Sequence, residues 1–146
     1  GGTLDKFIGD GVVIFFGDPE SRGIRQDAAA CLSMALEMLH EVESLNQEAL
    51  AQGVNSPIQI RIGVATGYCT VGNFGSESRM DYTVLGRTVN LAARLEAAAP
   101  SDGILVSSET ALLIDEQFVT EPVEPVQVKG FEKPVEVFRV LRMKNS

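Results

Sequence analysis

The side chains of this sequence with the most chemical reach are Lys6, Asp10, Thr83, Asn90 and Arg94. Asp10 lies in the step Gly9-Asp10-Gly11 between two β-rich runs, where a hairpin turn is expected. A carboxylate on such a turn is a good hard-oxygen ligand for magnesium, which takes one or two carboxylates together with phosphate oxygens. The same residue is equally at home as a plain turn former, since Asp-Gly is favoured there in any case. Lys6 projects from the strand that leads into the turn. Asn90 and Arg94 stand four residues apart on an expected helix and so share a face. An amide beside a guanidinium suits the orientation of a ribose oxygen and the stabilisation of charge developing on a phosphate. It also suits an ordinary solvated face. The Thr83 hydroxyl can accept or donate, and so can read an exocyclic amine; a strand threonine also follows from β-propensity alone. Taken singly, none of the five decides a function.

The elements that must position them follow from periodicity. Thr3–Ile8 and Val12–Phe16 are expected strands, closed by Gly17-Asp18-Pro19 and a polar loop over Glu20–Gln26. From Asp27 to about Ala51 the spacing of Cys31, Met34, Met38, Val42, Leu45 and Ala49 predicts one helical stripe, with Asp27 as N-cap and Gly53, Asn55 and Pro57 as its end. Ile58, Ile60, Ile62 and Val64 alternate with Gln59, Arg61, Gly63 and Ala65, the pattern of a strand with one buried face. Small residues continue over Gly67–Gly75, an exposed loop is expected over Ser76–Met80, and Tyr82–Leu85 reads as a short strand. Gly86 then precedes a helix running to about Ala99, in which Leu91, Leu95 and Ala98 form the docking stripe and leave Asn90 and Arg94 facing a cleft or solvent. A strand over Ile104–Ser107, a short helix over Ser108–Ile114 and a terminal pair, Val123–Val128 and Val135–Leu141, complete the order. Helices on one face of a mostly antiparallel sheet, an α+β arrangement, are expected.

Composition bounds the class. A chain of 146 residues suits a single domain and needs no disulfide or metal to hold it. Its 12 basic and 20 acidic side chains leave a net charge of -8, which argues against a nucleic-acid partner, because that requires a basic face. No apolar run approaches the ~20 residues that span a bilayer, and Gly1-Gly2-Thr3 carries no basic leader, so no direct membrane contact and a cytoplasmic setting are expected. Cys31 and Cys69 are too few for a disulfide framework and lack metal-ligand spacing; Cys31 on the helical stripe reads as core packing.

The motifs are far more specific together. Lys6-Phe7-Ile8-Gly9-Asp10-Gly11, Gly63-Val64-Ala65-Thr66-Gly67, the long block from Tyr82-Thr83-Val84-Leu85-Gly86-Arg87-Thr88-Val89-Asn90 through Leu91-Ala92-Ala93-Arg94-Leu95-Glu96, and Val128-Lys129-Gly130-Phe131 occur in order. The chain from Thr3 to about Val140 resembles the catalytic domain of class III nucleotide cyclases, particularly bacterial adenylate cyclases. The resemblance implies a ferredoxin-like α/β (α+β) domain that works as a head-to-tail homodimer with composite sites at the interface. It implies that Asp10 is one of two metal-binding aspartates for a pair of Mg2+ or Mn2+ ions, and that Lys6 and Thr83 read the base. Asn90 would orient the ribose, Arg94 would stabilise phosphate charge in the transition state, and Lys129 would touch the triphosphate. In the dimer, Asp10 serves one site while Lys6, Thr83, Asn90 and Arg94 of the same chain serve the other.

Base choice follows from chemistry at two positions. A lysine donates to adenine N1 and a threonine hydroxyl accepts from the 6-amino group, whereas guanine presents the opposite pattern and is usually met by an acidic residue and a cysteine. Lys6 and Thr83 therefore point to ATP, converted to 3′,5′-cyclic AMP and pyrophosphate in a signal-transduction setting, with sensor or regulatory domains fused upstream. Two departures from the family pattern stand out. Relatives have a leading strand and helices that carry the other metal aspartate, and nothing before Gly1 supplies them. A single domain over residues 1–146, N-terminally truncated and of weak or no activity by itself, is therefore expected. Some relatives also place a lysine where this chain has Phe131. The rival reading is a non-catalytic cyclase-like module for regulation or dimerisation, in which loss of Asp10, Asn90 or Arg94 would be expected; all three are present.

Overall fold

A computed structural model describes residues 2–8, 11–17, 20–76 and 79–145, with the backbone alone over 5–8, 70–76 and 79–85. The elements are β1 (Thr3–Ile8), β2 (Gly11–Phe15), α1 (Ile24–Ala51), β3 (Arg61–Val64), β4 (Thr70–Ser76), β5 (Arg79–Leu85), α2 (Arg87–Ala98), β6 (Gly103–Ser107), α3 (Ser108–Ile114), β7 (Phe118–Val126) and β8 (Val135–Met143). Four strands form one sheet in the order β3-β6-β8-β7, in which only β3 and β6 run parallel. β1 pairs with β2 and β4 with β5 as antiparallel hairpins, and β1 lies against β5.

All five residues of β6 are buried, so this strand is covered on both faces, as a continuous apolar run requires. Ile104 and Val106 pack with Ala28, Leu32 and Ala35 of α1 and with Ala111 and Ile114 of α3. Leu105 points the other way, into a second cluster with Leu91, Leu95, Ala99, Val126, Val128 and Val137. The helices thus occupy two faces rather than the expected one. The helix α2 takes the second face because β3 offers it Gly63, a side chain small enough for helix backbone to rest on.

Several local expectations shift. Gly23, not Asp27, caps α1; Asp27 instead reaches back to the Ser21 hydroxyl and to the Arg22 N–H at 3.1 Å, satisfying groups just ahead of the helix. The buried stripe of α1 runs through Ala28, Leu32 and Ala35, one residue off the expected line, and Leu45 is exposed. Residues 58–60 do not join the sheet, because Asn46 bonds the Ile58 N–H and C=O, each at 2.8 Å, and Asp102 takes those of Ile60. The loop expected over residues 76–80 narrows, since Ser76 pairs with Arg79 across the β4–β5 hairpin. β7 lies at the sheet edge, which accommodates Pro122 and Pro125 without losing inner ladder bonds.

Cys31 packs against the α1–α3 cluster, and burial pushes its thiol up from 9.0 to about 11. Since the thiolate is the nucleophile, Cys31 is expected to resist alkylation at about pH 8 while exposed Cys69 reacts. Equal labelling of both in the folded protein, read by peptide mass spectrometry, would contradict this packing.

Candidate active site

The helix that carries Asn90 and Arg94 starts sharply. Gly86 caps α2, its carbonyl accepting from the Val89 and Asn90 N–H groups at 3.2 and 3.4 Å. Leu91 and Leu95 are buried on the sheet, joined by Ala99 in place of Ala98, which is exposed. Asn90 and Arg94 are exposed, as their i, i+4 spacing required once the leucines face inward. The Arg94 guanidinium is not loose. Its Nε donates to the Gln127 carbonyl at 3.2 Å, which orients the planar fork while leaving the terminal nitrogens for a ligand.

Lys129 sits in the turn that links β7 to β8. The Phe131 N–H donates to the Val128 carbonyl at 3.1 Å, and Gly130 has a φ of 92°, the positive value that the third position of a type II turn demands. Lys129 therefore occupies an exposed corner, while Val128 beside it is buried in the α2 cluster. Lys6 lies on β1 opposite Val13, and Thr83 on β5 opposite Gly72. The backbone thus brings the two strands bearing Lys6 and Thr83 against each other, with α2 following directly from β5. Asp10 lies outside the described residues. Among the described residues no group of three His, Cys, Asp or Glu side chains converges on a metal position.

A cleft of about 340 Å3 runs along α2, lined by Arg94, Leu105, Glu121, Val123, Glu124 and Arg139 among others. A larger one, about 560 Å3, lies at the far end of α1 around Leu39, Asn46, Leu50 and Val54, and contains none of the candidate residues. Size does not locate the chemistry here.

Two ties between distant segments escaped the sequence reading. Arg87 donates from Nη2 to the Gly130 carbonyl at 3.1 Å and lies 4.3 Å over the Phe131 ring. A cation in the first turn of a helix opposes the positive end of its dipole, and that misplacement was the available signal. Thr66 shares a hydrogen bond of 2.7 Å with Thr110, whose hydroxyl also meets Ser107 at 3.0 Å. This hydroxyl chain ties the segment after β3 to the start of α3.

Residues 6–142 match the family described as the adenylate and guanylate cyclase catalytic domain. The crystal structure of the adenylyl cyclase CyaB from P. aeruginosa is similar, with a TM-score of 0.91 and 48% identity over 96% of this chain and 71% of that one. The guanylate cyclase domain of RhGC from Catenaria anguillulae in complex with GTP is similar at a TM-score of 0.83 and 26% identity, over 98% of this chain and 74% of that one. The terminal-differentiation specific adenylate cyclase of Dictyostelium discoideum is 30% identical over 97% of this chain and 7% of its own length. The chain belongs to the class III adenylate and guanylate cyclase catalytic domain family. It spans between 7% and 28% of the length of the curated relatives it matches. No helix among the described residues is long and apolar enough to cross a membrane.

Proposed function

We propose that this chain is the catalytic domain of an adenylate cyclase, forming 3′,5′-cyclic AMP and pyrophosphate from ATP as the output of a signalling protein. Because the similar structures include adenylyl and guanylyl cyclases, family membership leaves the base open. What supports adenine is one juxtaposition: Lys6 and Thr83 fall on β1 and β5, strands that lie against each other. Their donor and acceptor complement adenine N1 and the 6-amino group.

In this reading Asn90 hydrogen-bonds the ribose and holds its 3′-oxygen in line with the α-phosphorus. Attack of that oxygen forms the cyclic ester and breaks the bond to the β-phosphate oxygen, so pyrophosphate leaves. Arg94, aimed by its bond to Gln127, stabilises the charge that grows on the phosphates. Lys129 meets the triphosphate from the exposed turn corner. Asp10, a hard oxygen donor, suits Mg2+ or Mn2+, which when bound neutralises phosphate charge and activates the attacking oxygen. The domain works as a head-to-tail homodimer, with each site completed by the second copy. Residues 1–146 belong to one cyclase catalytic domain, and upstream sensor domains would supply the input.

The test is product formation by the whole protein with manganese and ATP or GTP. Cyclic AMP is the expected product; none from either nucleotide would transfer the reading to a cyclase-like regulatory module. The exchange Lys6→Glu with Thr83→Cys is expected to move preference from ATP toward GTP. An unchanged ratio of cyclic AMP to cyclic GMP would sink the base-reading assignment.

A further inference from the structure

The turn between β7 and β8 is held to α2 at two points, and the chemistry above uses only one of them. Arg87 and Arg94 lie two helical turns apart, and each grasps a carbonyl of the turn, Gly130 at 3.1 Å and Gln127 at 3.2 Å. Lys129 lies between those two anchor points in the chain. The Arg87 guanidinium also covers the face of Phe131, 4.3 Å from the ring centroid, and Phe131 closes the turn through its N–H to Val128. An arginine at the first position of a helix is electrostatically out of place. The Gly130 carbonyl and the negative face of the ring compensate it, so a local misfit becomes a tie between elements 43 residues apart.

We infer that Arg87 and Phe131 form a latch that fixes Lys129 beside the first turn of α2, which makes Arg87 a positioning residue for the triphosphate contact. The inference rests on the adenylate cyclase reading above. Without the latch, the corner that presents Lys129 is held by the turn bond, by buried Val128 and, on the Gln127 side alone, by Arg94, and ordering the Gly130 side weakens nucleotide binding. The phenylalanine at position 131 then has a role of its own, as the platform that holds Arg87.

The experiment compares Arg87→Ala, Arg87→Lys, Phe131→Leu and Lys129→Ala in the whole protein by hydrogen exchange over residues 127–133 and by steady-state kinetics with ATP. Arg87→Ala and Phe131→Leu are expected to speed exchange at the Phe131 amide. They should raise KM for ATP roughly five-fold, the size of an exposed cation–π contact, with kcat within about two-fold. Arg87→Lys keeps a cation over the ring and should recover most of the affinity. Arg87→Ala should add nothing in a Lys129→Ala background. Unchanged exchange overturns the latch. Faster exchange with unchanged KM, or a KM effect that adds fully to that of Lys129→Ala, overturns its link to the triphosphate. Failure of the unaltered protein to form cyclic AMP overturns the cyclase reading instead, and the exchange comparison, which needs no nucleotide, still reports on the latch.

Discussion

Replacing Arg94 by alanine is expected to slow cyclic AMP formation by about 10²-fold or more, the usual consequence of removing one preorganised donor to transition-state charge. The expectation comes from how the side chain is held. Arg94 is exposed on α2, yet its Nε is anchored to the Gln127 carbonyl, so the direction of the guanidinium is set before any ligand arrives. Donors already in place need no reorganisation as charge develops, which is why their loss falls on kcat rather than on KM. Stability should hardly change, since exposed substitutions usually stay within about 0.5 kcal/mol. Arg94→Lys is a useful companion. It keeps the charge but has no Nε to anchor and no planar fork, so it should recover only part of the rate. The measurement is steady-state turnover with manganese and ATP beside a thermal melt of each variant. A rate within a few-fold of the parent would remove Arg94 from the mechanism.

Gly63→Ala is expected to destabilise the domain by about 3 kcal/mol, at the upper end for an overpacked core. A Cβ at this position would fall 2.9 Å from the Leu95 carbonyl carbon and closer still to the Ala92 carbonyl oxygen and the Glu96 nitrogen. All three are helix backbone. No side chain can rotate aside, so relief requires α2 to lift from β3, drawing Leu91 and Leu95 out of their cluster with Leu105 and Val137. For a domain of this size that free energy corresponds to a fall of about 10 °C in Tm. Activity should fall further than stability, because the displaced helix carries Asn90 and Arg94. Thermal denaturation read by circular dichroism checks the first effect, and a fall below about 2 °C would mean that α2 does not rest on Gly63.

Within the candidate site, legibility followed the distance over which each relation acts. Asn90 and Arg94 were recognisable as exposed partners because their relation is local: helix period and the inward leucines settle it within two turns. The expected bounds of α3, residues 108–114, agree with the observed helix, which Ser107 caps by accepting from the Thr110 N–H. The stripe of α1 was misjudged by one residue because alanines at 28 and 35 give little hydrophobic signal, yet they are what allows the helix close to the sheet. Ile58 and Ile60 alternate as a strand should, but Asn46 and Asp102 satisfied their backbone first, and an alternating pattern does not reveal such competition.

The sequence by itself determined the family, the order of elements apart from β4, whose small residues Gly72 and Gly75 hid a strand, and the residue types able to read a base, orient a ribose and meet phosphate charge. These are carried by short motifs whose meaning survives without neighbours. Only the tertiary structure decided that α2 takes the second face of the sheet, that β1 lies against β5, and that Arg87 is bound to the turn bearing Lys129. Each of these joins segments far apart in the chain through packing or a single carbonyl, and such contacts depend on the whole fold closing rather than on any local pattern of residues.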